Sequence, residues 1–275
     1  METPQSQDAS PDAVRDAAID HHHDLAGVFE QHYRDMSSDR FRTAFTYGRG
    51  KVDQLLDEEL KALRPGASIL DVGCGTGNYL VRFRELGFEA RGVEPAPGMI
   101  EAARRLDATL AIEQGVATSL PFPDGSFDLV TAIEVLRYLH HDDVRLALSE
   151  MMRVLRPGGR LFVTMVNRWA LDGFYVHQRL RQRMKGRDFD RTNPHCEFTT
   201  PAELEADLRA AGASEVHTLG RLFAPMRLVY KLSEPLARKV ARVVEPYDDA
   251  VCSLPFTTQF AGHLVGVAVR GPGAP

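Results

Sequence analysis

Hydrophobic residues are unevenly distributed along the chain. From Val52 to Leu63 they fall at Val52, Leu55, Leu56, Leu60 and Leu63, one face of a helix, which Pro65-Gly66 stops. Beyond that point short β-branched runs alternate with helical stretches. The pattern predicts strands at Ser68–Gly73, Glu89–Glu94, Thr109–Gly115, Asp128–Ile133 and Arg160–Val166, with helices near Asn78–Leu86, Pro97–Leu106 and Asp142–Leu155. Pro201–Ala211 reads as a further helix, Glu215–Leu219 as a sixth strand and Gly262–Val269 as a seventh. Such alternation implies right-handed crossovers, hence an α/β fold with a doubly wound, mostly parallel sheet and helices on both faces.

The first fifty residues lack this regularity. Residues 1–24 carry six acids against Arg15 and read as a flexible acidic tail, with His21-His22-His23 as a solvated stretch before the first helix. Residues 25–50 place Phe29, Tyr33, Phe41, Phe45 and Tyr47 among charges, enough for one or two short helices serving as a lid. Residues 51–275 are expected to form one domain.

Composition narrows the class. With 44% hydrophobic and 26% charged residues the chain is ordinary for a folded globular protein. No apolar run approaches the ~20 residues that cross a bilayer, and the start has no cationic or apolar leader. Three scattered cysteines, Cys74, Cys196 and Cys252, suit a reduced cytoplasmic protein with free thiols. A net charge of −5 argues against a nucleic-acid partner. Against that background, 168–191 and 221–245 are each +4.

The most informative stretch is Ile69-Leu-Asp-Val-Gly-Cys-Gly-Thr-Gly-Asn-Tyr-Leu80: a strand, a turn with Gly73, Gly75 and Gly77, then a helix start. Glycines let backbone approach a ligand, and the helix N-terminus offers free N–H groups. The dinucleotide spacing would need glycine at 78, where Asn78 stands. Glu94 ends the next strand, about twenty residues on, a position suited to ribose hydroxyls. Leu120–Val130 is a turn entering a strand, and Pro157-Gly158-Gly159 separates a helix from the next strand.

Together these segments resemble class I S-adenosylmethionine-dependent methyltransferases, close to the ubiquinone/menaquinone-biosynthesis-like, small-molecule branch, over residues 66–167 and more weakly to about 220. The resemblance implies a Rossmann-like seven-stranded sheet whose last strand runs antiparallel. It implies S-adenosyl-L-methionine as cofactor, with Asp71, Gly73, Cys74, Gly75 and Gly77 along its methionine half. Glu94 and Pro95 would lie at the ribose and Met99 near the adenine. Gly115, Val116 and Ala117 align with the adenine edge, where Val116 replaces the family's usual Asp. Ile133 and Glu134 would approach the methionine moiety.

Many relatives have His where this chain has Tyr138, so any base must come from elsewhere. His140, in the same loop, and His177 and His195, in the insertion after the fifth strand, are the candidates. A metal site is not expected: Glu134 and Asn167 end neighbouring strands, but Arg168 stands where a second carboxylate is needed. Asn193-Pro194-His195-Cys196 lacks the second proline and the tyrosine of the N-P-P-Y signature of amide and base methyltransferases.

The insertions near 168–200 and 221–261 should cap the acceptor pocket, because ligands bind outside the carboxyl ends of parallel strands. Their arginines, Arg179, Arg183 and Arg227 among them, would then recognise a negatively charged small-molecule acceptor. Alternatives are a lipid or isoprenoid acceptor with contact to an anionic membrane, and a cofactor-binding regulatory or scaffold protein without transfer activity.

Overall fold

The computed structural model describes residues 10–171, 174–176, 178, 180 and 195–272. Its elements are α1 (Pro11–Ser38), α2 (Ala44–Lys61), β1 (Ser68–Val72), α3 (Asn78–Glu85), β2 (Glu89–Glu94), α4 (Pro97–Leu106), β3 (Ile112–Gln114), β4 (Phe127–Ala132), α5 (His141–Val154) and β5 (Leu155–Asn167). There follow β6 (Phe198–Thr199), α6 (Pro201–Ala210), β7 (Ala213–Arg221), α7 (Met226–Leu232), α8 (Glu234–Cys252) and β8 (His263–Arg270). The sheet runs β3-β2-β1-β4-β5-β8-β7, and the two-residue β6 pairs with the end of β5. Among the described strands only β8 is reversed, antiparallel to both β5 and β7.

Alternation along each strand explains the two covered faces. Leu70 and Val72 of β1, Val130 of β4 and Leu161 and Val163 of β5 face a core closed by α5 and α6. Ile69, Leu129 and Phe162, one step out of phase, face Val52, Leu56 and Phe83 of α2 and α3. Burial on both faces is why these strands read as continuous apolar runs. No helix among the described residues is long and apolar enough to cross a membrane.

Three expectations change. Helix α1 begins at Pro11, capped by Ser10 accepting from the Ala13 N–H at 3.2 Å, so the flexible tail gives way to helix over 11–24. The sheet has eight strands rather than seven, because β6 extends it beside β5. The third change concerns 221–261. Instead of covering a pocket over the strand ends, α7 and α8 pack Met226, Tyr230, Ala237 and Ala241 against Tyr47 of α2. Arg238 and Arg242 bind Asp39 at 2.7 and 3.2 Å, and buried Lys51 meets Glu245 and Asp249. Two of the six bases of this stretch, Arg238 and Arg242, are thus held by Asp39 at the α1–α2 corner. Arg179 and Arg183 lie outside the described residues.

Candidate active site

The loops leaving the carboxyl ends of β1, β2, β3 and β4 meet α1 and α2 around a cavity of about 280 Å³. Gly73 opens the turn after β1 with φ +69°, and its N–H and that of Cys74 donate to the Val93 carbonyl at 2.7 and 3.1 Å. A Cβ on Gly73 would stand 2.4 Å from Val135 Cγ2, so both backbone and space demand glycine. Glu94 ties this turn to the loop after β2: Oε2 accepts from the Gly75 N–H and Oε1 from the Ala96 N–H, each at 2.9 Å. Burial pushes its carboxyl up to about 7 against the pull of those two N–H groups. Asp71 is likewise buried and raised to about 7, with Thr131 Oγ1 donating to it at 2.7 Å and Arg49 nearby pulling it back.

At the end of β4, Glu134 takes a left-handed backbone (φ +63°), which costs about 1–3 kcal/mol for a non-glycine residue. Its surroundings hold it there. Its N–H donates to Thr164 Oγ1 at 2.7 Å, Arg137 Nη1 donates to Oε2 at 2.9 Å, and His263 Nδ1 lies 3.0 Å from Oε1. Burial disfavours charge on Glu134, but His263, Arg137 and Arg49 outweigh it and keep the group well below the usual carboxylate range.

Of the residues expected at the cofactor, Asp71, Gly73, Cys74, Gly75, Glu94, Pro95, Met99, Gly115, Val116, Ala117, Ile133 and Glu134 all line this cavity. Gly77 does not. It starts α3 with φ +78°, where a Cβ would meet Leu110 at 2.7 Å and Ala103 at 3.1 Å, so its role is packing. The expected bases fare differently. His140 caps α5, accepting weakly from the Asp142 N–H at 3.4 Å, and His195 is buried against Glu197 at 3.0 Å; neither lines the cavity. His177 lies outside the described residues. Asn167 spends its amide on the carbonyls of Thr258, Gln259 and Ala261 and has no donor free for a ligand beside Glu134.

Comparison with known proteins gives this arrangement a family. Residues 70–163 match the family model described as a methyltransferase domain. The ubiquinone biosynthesis O-methyltransferase of Azorhizobium caulinodans is 34% identical over 189 residues, 64% of this chain and 70% of that protein. The chain belongs to the class I S-adenosylmethionine-dependent methyltransferases. The demethylmenaquinone methyltransferase of Beutenbergia cavernae is 35% identical over 162 residues, 56% of this chain and 65% of that one. A solved Thermotoga maritima methyltransferase, described as a possible histamine N-methyltransferase, shares the fold with a TM-score of 0.56 over 91% of this chain and 98% of its own, at 21% identity.

In this methyltransferase the other wall of the cavity comes from residues that no motif marks. Helix α1 contributes Ala18, Ile19, His22, Phe29, His32 and Tyr33, and α2 contributes Phe45 and Arg49. Arg49 is buried with its guanidinium over three rings, 5.9 Å from Tyr33, 5.5 Å from Phe45 and 5.4 Å from Tyr79. Helix α1 is seated by its contact with α4. The Gly98 N–H, one of the donors left free at a helix start, gives its hydrogen bond to His23 Nδ1 at 3.0 Å. A Cβ on Gly98 would stand 2.6 Å from the His23 carbonyl oxygen, so only glycine admits this approach. His23, though exposed, is therefore a working part of a helix interface, and His22 is half-buried.

Proposed function

We propose that this methyltransferase methylates an oxygen of a hydroxylated aromatic small molecule, with cofactor and acceptor sharing the one cavity. The observation that carries the reading is the pairing of two unlike walls: the glycine turn, Glu94 and Met99 on one side, and Phe29, Tyr33, Phe45 and Tyr138 on the other. S-adenosylmethionine, when bound, supplies a methyl group on a positively charged sulfur. The residues present fit it. Each Glu94 oxygen uses one lone pair on a backbone N–H, which leaves acceptors for two ribose hydroxyls. Asp71, Glu94 and Glu134 give the wall carboxylates for a ligand that carries a sulfonium and an ammonium group, and Asp71 would meet the ammonium. Gly75 presents open space where a side chain would intrude. Met99 and the 115–117 backbone would hold the adenine.

The chain's own contribution is then to bind, orient and exclude water. Helices α1 and α2 act as the lid, and their aromatic rings hold a flat acceptor against the sheet, where proximity does most of the work of an in-line transfer. Two named relatives, an O-methyltransferase of ubiquinone biosynthesis and a demethylmenaquinone methyltransferase, point to ring acceptors of quinone type. Among the described lining residues Arg15, Arg49 and Arg137 stand with Asp71, Glu94 and Glu134, so the described wall has no excess of cationic side chains and ring contact carries recognition there.

Calorimetry with S-adenosylmethionine and its demethylated product, followed by labelled-methyl transfer to a panel of phenols, catechols and quinols, tests the reading. Binding of both adenosyl ligands and product ethers are expected. Binding without transfer, or transfer to amines alone, would overturn it.

A further inference from the structure

The structure brings an imidazole from α1 to the part of the cavity wall that Tyr138 forms. The His22 ring, on α1, meets the edge of the Tyr138 ring at a centroid distance of 4.6 Å and lines the cavity. Tyr138 belongs to the short turn Leu136–Tyr138 just after β4, whose end supplies Ile133 and Glu134 to the same cavity. A stacked contact with Phe29 at 5.6 Å holds the other side of the ring. His22 Nδ1 lies 2.7 Å from the Ala18 carbonyl oxygen, so Nδ1 is the protonated nitrogen and donates to it. Nε2 keeps its lone pair, on the far side of the ring from the helix backbone.

We propose that His22, on α1, is the general base for the acceptor hydroxyl. The inference rests on the hydroxylated-ring reading above. As the acceptor oxygen forms its bond to the methyl carbon and the carbon–sulfur pair leaves with sulfur, the hydroxyl proton passes to Nε2. The products are a methyl ether, a neutral thioether and an imidazolium that later releases its proton to water. Burial lowers His22 to about 4 against the pull of its hydrogen bond to Ala18, and the neighbouring Arg137 adds to the lowering. It is therefore neutral and ready to accept at pH 7. Even so weak a base can accept, because the acceptor oxygen becomes a three-coordinate oxonium, far more acidic than the starting hydroxyl, as its bond to the methyl carbon forms.

His32 is the competing imidazole of the cavity wall. Its Nδ1 is shut away from solvent, without a hydrogen-bond partner, under a stack with Phe45 at 4.6 Å. Unlike His22, it has no backbone carbonyl on Nδ1 to fix which ring nitrogen carries the proton.

Two measurements decide. Nitrogen-15 spectra of histidine-labelled protein without any ligand should show His22 as the Nδ1–H tautomer with unprotonated Nε2 at pH 7. An Nε2–H tautomer or an imidazolium there overturns the proposal. Labelled-methyl transfer to the hydroxylated aromatic that the wild type turns over best is then compared for His22→Ala, His22→Gln and His32→Ala. His22→Ala should lower kcat about 10²–10⁴-fold, the usual share of a positioned base. Cofactor affinity should stay within threefold, and His22→Gln, a neutral acceptor of similar reach, should recover part of the loss. His32→Ala, in the same wall, should lower kcat at least tenfold less than His22→Ala does. Equal loss of cofactor affinity and thermal midpoint in His22→Ala and His22→Gln would mean that His22 only seats α1, and overturns the proposal. Full transfer by His22→Ala overturns it alone. A wild type that binds cofactor but methylates no hydroxylated ring overturns the acceptor reading, and the proposal with it.

Discussion

The two walls of the cavity are built by opposite means. The sheet-side wall is mostly main chain: N–H groups of Gly73, Cys74, Gly75 and Ala96 are fixed by Val93 and Glu94, and glycine geometry dictates where they point. The lid-side wall is side chain on helix, seated through Gly98–His23, the Arg105–Glu30 ion pair at 3.2 Å and the apolar contact of Ala26 with Ala96, Met99 and Ala102. A wall made of backbone is specified locally and tolerates little change. A wall made of docked side chains can be rebuilt for a new acceptor while the cofactor half stays as it is. Separate perturbations should therefore fail differently.

The largest effect is expected at Gly73. Gly73→Ala must place a Cβ in a left-handed backbone and 2.4 Å from Val135. Overpacking of this kind costs about 1–3 kcal/mol and the backbone about 1 kcal/mol more, so cofactor Kd should rise on the order of 100-fold. Calorimetry reads this directly. An affinity within threefold of wild type would show that the turn does not face the cofactor.

Next comes Glu94→Gln, which keeps the shape and removes the charge. Hydrogen bonds to a charged group are worth about 1.5–3 kcal/mol, so cofactor affinity should fall roughly 10- to 150-fold. The variant also tests pH dependence. Asp71 and Glu94 both sit near 7 in the free protein, above their ordinary values. Between the unfolded and folded values the folded chain holds protons that the unfolded chain has lost, so their contribution to stability falls as pH rises from about 4.5 to 7. The cationic cofactor favours the ionised forms, so its affinity should climb over the same window and level off above 7. Glu94→Gln should make that climb shallower. Affinity that falls with rising pH in the wild type would refute this assignment of charge.

The contrast between walls also decides what could be read before the structure. Strand and helix spans from Ser68 to Leu155 follow the apolar periodicity closely, and the glycine turn, Glu94 and Met99 are legible because their spacing is a local requirement of one turn and one crossover. Helix α1 carried a weaker signal. Val14, Ala18, His22 and Ala26 repeat every four residues on its inner face, and Asp12, Asp16, Asp20 and Asp24 repeat every four outside. Ser10-Pro11 is a helix start as well. With alanine and histidine doing the packing, overall apolarity is low, and the acids look like a solvated tail. Arg49 could not be found at all from sequence, since its role depends on Tyr33 and Tyr79 arriving from other helices. For the same reason the basic stretch after β7 misleads: its partner Asp39 is about two hundred residues away in sequence.

The lid wall can be broken by itself. Gly98→Ala leaves α4 helical, since alanine suits a helix, but drives a methyl into the His23 carbonyl. Helix α1 should shift or detach and become protease-sensitive. Transfer efficiency (kcat/KM) should drop roughly tenfold, because a misplacement of about 1 Å near reacting groups can cost up to 10²-fold. Cofactor affinity should change less than threefold. Equal loss of both quantities would mean that the two walls are one unit energetically.

The smallest expected effect sharpens the cofactor half. Val116 lines the cavity after β3 and is only partly buried, held in a tight turn by its carbonyl accepting from the Ser119 N–H at 3.2 Å. The family resemblance leads one to expect an Asp at this position, at the adenine edge. Val116→Asp would add an acceptor for the adenine amine without changing the turn, and one such hydrogen bond is worth about 0.5–1.5 kcal/mol net. The expected result is a cofactor Kd lower by roughly two- to tenfold, with the apparent KM for the acceptor unaltered because the lid wall is untouched. A clear weakening would point the other way: the ring packs on Val116 in a dry contact, where an added carboxylate pays desolvation without finding its partner. Measured beside Gly98→Ala, the pair separates the walls in both directions, one variant moving only the cofactor and the other chiefly the acceptor.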